Sequence, residues 1–241
     1  MIYKIYPAIL CLVLSFWTDS KSISETNVTT VKTLARVELS AVDIKIQDIY
    51  YSLHANSFAL PEFKSFSEAL KGFYLLKEKG IIQKDILTLI DFSLSSNVKR
   101  LWVIDLGSNK ILFHSLVAHG KNTGEEMASA FSNANSSNKS SLGFYVTGEV
   151  YQGKHGLSLR LDGLEKGVNN NARERAIVIH GADYVSESFI KGNKRLGRSL
   201  GCPALPLELT DAIIDEIKDK SCLFIYHPSR SFFATEKKLI S

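Results

Sequence analysis

Apolar residues first recur at helical spacing at Val42, Ile46, Ile49, Tyr50 and Leu53, behind Ser40 as an N-cap with Asp43 three residues on, and this predicts a first helix. Ser65 and Glu68 form an S-x-x-E capping box ahead of Ala69, Leu70 and Phe73, and Gly80 supplies a stop, so a second helix follows, with Gly72 weakening its interior. The run Ile81 to Phe92 predicts a third, shorter helix ending near Ser93. From Arg100 the texture changes. Leu101-Trp102-Val103-Ile104 and Ile111-Leu112-Phe113-His114 flank a turn cluster, Gly107-Ser108-Asn109-Lys110, and predict a hairpin. Further β-like segments fall at Gly143 to Val150, Leu157 to Leu161, Ala176 to His180 and Cys222 to Tyr226. Between the last two, Leu209, Ala212, Ile213 and Ile217 mark an amphipathic helix. The expected class is α+β, with a helical N-terminal region ahead of a mainly β region and no internal repeat.

The start divides the chain further. Lys4 precedes an almost unbroken apolar stretch, Ile5 to Trp17, and then Thr18-Asp19-Ser20, which is the pattern of a secretory signal peptide over residues 1–22. The stretch is shorter than the roughly 20 residues of a spanning helix, so no stable membrane insertion is expected once the signal is removed. Residues 23–92 then form the helical region and 93–241 the mainly β region. Cys11 lies inside the signal, leaving Cys202 and Cys222 in a protein expected outside the cytoplasm. Cys222 sits in the apolar run Ser221-Cys222-Leu223-Phe224-Ile225-Tyr226 and reads as a small core hydrophobe. A Cys202–Cys222 disulfide stays open at this point, and it would silence the thiol. The net charge of +4 comes from scattered basic residues, which gives no nucleic-acid footprint.

The candidate chemistry centres on Arg198-Ser199-Leu200-Gly201-Cys202-Pro203, downstream of Ala176-Ile177-Val178-Ile179-His180-Gly181. A thiol is mostly protonated at neutral pH, so a nucleophilic cysteine needs a base such as His180 to take its proton. Gly201 lets backbone N–H groups approach an oxyanion, and Pro203 stiffens the turn. The competing reading is a structural cysteine beside a satisfied core histidine; a glycine-flanked loop is a poor core position and weighs against it.

His180-Gly181 and Ser199-Leu200-Gly201-Cys202 together resemble the murein L,D-transpeptidases, whose catalytic domain carries a strand ending in His-Gly and a later S-x-G-C. The resemblance runs from Lys84 to Tyr226 and is to the branch with Pro-Ala-Leu after the cysteine, here Pro203-Ala204-Leu205. Asp91-Phe92-Ser93, Val117-Ala118-His119-Gly120, Phe131-Ser132-Asn133, Ser140-Ser141-Leu142-Gly143 and Lys154-His155-Gly156 extend it.

The resemblance implies a secreted enzyme of the periplasm or cell wall that acts on peptidoglycan stem peptides and uses no cofactor and no metal. Cys202 would be the nucleophile, attacking the third stem residue and releasing D-alanine, and His180 the base. The carbonyl of Gly181 would orient the imidazole, and the N–H groups of Gly201 and Cys202 would form the oxyanion hole. A stem amine resolving the thioester gives a cross-link; water gives trimming. Many members carry an arginine two residues beyond the cysteine, where Ala204 stands here. Arg198 is the candidate replacement, since its fork suits a stem carboxylate, or else it is a solvated surface charge. Ser199 and His119 complete the substrate-side candidates; His119 and His155 each adjoin glycine and are placed to approach the site, although a structural or surface role is the default for a lone histidine. A zinc hydrolase using His119, His155, His180 and Cys202 is a different class, but the close ligand spacings of such sites are missing. A wall-binding module with an unreactive Cys202 is another. Oligomeric state is not readable from the sequence.

Overall fold

The computed structural model describes residues 40–230. The signal segment and Cys11 lie outside them. Helix α1 (Ala41–Ser52) begins as its cap predicts, with Ser40 Oγ accepting from Asp43 N at 3.1 Å. Helix α2 (Phe63–Glu78) begins earlier than the capping box implies, after Pro61-Glu62. Ser65 is therefore its third residue, and its hydroxyl donates back to Glu62 O at 3.0 Å instead of capping. The α2 stripe Phe66, Ala69, Leu70, Phe73 and Leu76 is buried, and Gly80 follows at φ +68°. Gly72 is a packing requirement: a β-carbon there would run into the Phe144 ring.

The predicted third helix is instead a strand, β1 (Ile86–Asp91), fully buried along its length. It lies antiparallel to β2 (Leu101–Asp105) and parallel to β8 (Cys222–Tyr226). Both of its faces are covered, so it lacks polar alternation and looks like a buried helix from sequence alone. The hairpin of β2 and β3 (Lys110–Ser115) forms as expected, with Asn109 at φ 54° in its turn.

Strands β4 (Gly143–Gly153), β5 (Gly156–Gly163), β6 (Val178–Gly181) and β7 (Ala204–Leu205) complete one eight-stranded sheet among the described residues. Its order is β3-β2-β1-β8-β4-β5-β6-β7. Side chains alternate across it. Leu87, Leu89, Trp102, Phe144 and Phe224 join Ile46, Phe66 and Phe73 of the two first helices in one core. Ile90, Val103, Tyr145 and Leu223 share the other with Ile213, Ile214 and Ile217 of α4 (Leu207–Ile217). The short helix α3 (Glu187–Asn193) starts on Ser186, which accepts from Phe189 N at 3.3 Å. The result is α+β, as expected. No described helix is long and apolar enough to cross a membrane.

The topology sets the site at one end of the sheet. Strands β6 and β7 are parallel neighbours with His180 opposite Ala204 and Gly181 opposite Leu205, which brings Cys202, two residues before Ala204, beside Val178 at the start of β6. A small core of Leu116, Ala118, Ala182, Val185, Leu196 and Ala204 backs this corner.

Candidate active site

Cys202 and His180 line one cavity of about 560 Å³, although 21 residues separate them in the chain. His180 is 5% exposed. Its Nδ1 lies 2.9 Å from Gly181 O; a carbonyl only accepts, so Nδ1 carries the proton and the Nε2 lone pair is left free to accept one. Burial holds the imidazole below its ordinary pKa, and repulsion from His155 adds to this while the bond to Gly181 opposes it. The ring is neutral at pH 7.

Cys202 is a free thiol, as is Cys222, so the disulfide left open by the sequence is not made. Cys222 is fully buried in β8 beside Phe224, the expected core position, and burial raises its thiol beyond any reactive range. The Cys202 sulfur accepts from Val178 N at 3.4 Å and lies 3.7 Å from Ala176 O. Packing around the sulfur raises the thiol pKa, opposed by the Val178 N–H and by the positive charge of Arg175.

The loop that carries Cys202 is shaped from within. Ser199 Oγ accepts from Gly201 N at 3.0 Å and donates to Cys202 O at 2.6 Å, closing a turn over three residues. Of the two N–H groups assigned to the oxyanion hole, that of Gly201 is thus donated to Ser199. Gly201 has φ +130°, and a β-carbon there would stand 2.9 Å from Lys139 O, so glycine is required. Ser140 Oγ ties the loop from below, donating to Gly201 O at 3.1 Å.

The remaining sequence candidates separate. Arg198 lines the cavity, but its Nη1 is engaged with Glu125 Oε1 at 2.6 Å, Gly124 O at 3.1 Å and Lys121 O at 3.2 Å. His119 is 1% exposed and its side chain is not in the cavity lining. Its Nδ1 lies 2.9 Å from Arg100 Nη2, which can only donate, so Nε2 holds the proton and faces Gly124 O at 3.3 Å. The link of His119 to the site is its backbone carbonyl, which accepts from Ser199 N at 3.0 Å. Ala204 is fully buried, in β7 and bridged to Ala118, so an arginine at this place has no room.

Two further residues reach the site: Arg175, which the sequence leaves unassigned, and His155, which it leaves as a structural histidine or a zinc ligand. His155, in the turn between β4 and β5, stacks on His180 with centroids 4.8 Å apart. Arg175 enters just ahead of β6 and lines the same cavity. The glycine beside His155 and the position of Arg175 at a strand start are the only local signals of either. Among the described residues no group of three or more His, Cys, Asp or Glu side chains converges as a metal site would need.

A family model described as the L,D-transpeptidase catalytic domain matches residues 59–226. The chain belongs to the L,D-transpeptidase catalytic domain family. The match begins within α2's approach and so takes in the second helix as well as the sheet. No curated protein matches the chain. Among solved structures, an L,D-transpeptidase from Mycobacterium smegmatis is similar at 11% identity and TM-score 0.37, over 59% of this chain and 59% of that one. The helical cell shape determining protein Pgp2 from Campylobacter jejuni is similar at 16% identity and TM-score 0.38, over 65% of this chain and 55% of that one. An L,D-transpeptidase from Xylanimonas cellulosilytica follows at 10% identity and TM-score 0.33, over 76% and 92%. The chain spans about three fifths of the length of the first two.

Proposed function

We propose that this protein is a secreted cysteine L,D-transpeptidase that acts on peptidoglycan stem peptides through a Cys202 thioester. The observation that carries the reading is the shared cavity of Cys202 and His180, with the imidazole proton fixed on Nδ1 by Gly181 O and the Nε2 lone pair left to accept a proton. In the proposed reaction His180 Nε2 takes the Cys202 proton, and the sulfur attacks the carbonyl of the third stem residue. The tetrahedral intermediate collapses by expelling D-alanine, whose nitrogen takes the proton from His180. The amine of a second stem then attacks the thioester, giving the cross-link and returning the thiol. Water in place of that amine gives the carboxypeptidase outcome with the same residues.

Charge in the cavity favours an anionic substrate. Lys154 and Arg175 line it beside Arg198, which is paired with Glu125 from outside the lining, and no carboxylate lines it, which suits the free carboxylates of a stem peptide. The experiment is D-alanine release from purified tetrapeptide muropeptides. Wild type releases it and Cys202→Ala does not; full release by Cys202→Ala overturns the reading. Product masses with an added acceptor stem separate cross-linking from trimming.

A further inference from the structure

We propose that Arg175 is the fixed cation that poises the Cys202 thiolate, and that it is held there by a clasp on the loop 132–141. The inference rests on Cys202 being the nucleophile and adds what supports its charge. Arg175 acts through the sulfur's electrostatic environment and is a positioning residue.

The clasp is fully specified. Arg175 Nη1 donates to Ser132 O at 2.9 Å and Ser141 Oγ at 3.2 Å, and Nη2 to Lys139 O at 2.6 Å and Ser137 Oγ at 3.3 Å. All four acceptors are uncharged. None of the ion pairs among the described residues includes Arg175, and its neighbour Glu174 is engaged with Asn135 Nδ2 at 2.5 Å. A half-buried guanidinium held by neutral acceptors keeps its whole charge for whatever anion forms nearby. Arg175 Nη2 comes within 3.3 Å of where a Gly201 β-carbon would stand, one residue from the nucleophile.

The other groups facing the sulfur leave this role open. His180 is neutral in the resting site, held down by burial and by His155, so it offers no standing positive charge. Arg198 is paired with Glu125 at 2.6 Å. Lys154 lies in the exposed hairpin turn, where solvent screens it. Tyr184 stays protonated, its pKa pushed up to about 12 mainly by burial. When the Cys202 proton moves to His180 Nε2, the new thiolate accepts from the Val178 N–H and lies in the field of Arg175, which lines the same cavity. The mutual effect runs both ways: Arg175 favours the thiolate, and the thiolate favours the charged guanidinium.

The test is the pH dependence of Cys202 alkylation by iodoacetamide in the full-length protein, located by peptide mass, for wild type, Arg175→Gln, Arg175→Lys and Ser137→Ala. Gln keeps a hydrogen-bonding head without charge, Lys keeps charge without the fork, and Ser137→Ala removes one arm of the clasp. The titration midpoint rises most in Arg175→Gln, rises less in Arg175→Lys, which keeps the charge but loses the forked hold, and stays near wild type in Ser137→Ala, where three of the four arms remain. Each unit of rise cuts the thiolate about tenfold while greater nucleophilicity returns about threefold, so alkylation at pH 7 falls roughly threefold per unit. Equal midpoints in the Gln and Lys variants, or a Gln variant that titrates as wild type, overturn the proposal. Alkylation reads the thiol without turnover. A normal D-alanine release with unmoved midpoints refutes the role of Arg175 alone, and a shifted midpoint without any release refutes the activity alone.

Discussion

The exposed imidazole of His155 stacks on the buried imidazole of His180, with centroids 4.8 Å apart and planes inclined by 29°. The stack covers one face of the His180 ring and sets a second ionisable ring against it. Both effects lower the His180 pKa, burial more than repulsion.

The acid limb of kcat/KM should therefore lie below the ordinary imidazole value of 6.5, because the base stays neutral until the pH falls through its lowered pKa. In His155→Ala solvent reaches the ring and the repulsion goes, so the limb moves up towards that value. A pH profile of D-alanine release measures it, and an unmoved limb refutes the coupling.

His119 makes a separate prediction about stability. Its folded pKa is lowered to about 4, from 6.5, first by burial and then by the Arg100 charge. Between those values the unfolded chain binds the proton and the folded one does not, so stability is lost as pH falls from 6.5 towards 4. The full span is worth about 3 kcal/mol. His119→Gln does not titrate, and its unfolding free energy in urea should fall less between pH 7 and pH 4.5 than that of wild type, by about 2 kcal/mol. Equal losses in the two proteins would count against this account of His119.

Gly72→Ala tests the packing of α2 on the sheet. Alanine gains about 1 kcal/mol of helix propensity over glycine, but its methyl would overlap the Phe144 ring, which is buried and stacked on Phe224 at 4.2 Å. Overpacking costs about 1–3 kcal/mol, so the clash wins and the thermal midpoint falls. Phe144→Leu in the same chain shortens the offending side chain and should recover part of the loss. A midpoint that rises in Gly72→Ala alone contradicts the packing.

Much of this architecture is legible along the chain, and the exceptions have physical causes. Ser40 announces α1 because a cap is a local bond. The β2–β3 hairpin is announced by its turn, again locally. The segment around Ile86 misleads because a strand covered on both faces carries no alternation, and only its partners in β2 and β8 decide its form. Ser65 misleads because Pro61-Glu62 starts the helix first. At the site, Cys202 and His180 stand out by their glycine neighbours and their strand-and-loop settings. Arg175 and His155 do not, since each reaches the cavity through strand pairing and loop contacts that span tens of residues.

The central claim is that Cys202 carries the acyl group. The measurement that meets it most directly is the intact mass of the protein after incubation with a purified tetrapeptide stem and acid quenching during the first turnovers. The account predicts an added mass equal to the stem less D-alanine, mapped by peptide fragmentation to Cys202 and missing from Cys202→Ala. Release of D-alanine with no adduct on Cys202, or an adduct that persists in Cys202→Ala, would contradict it.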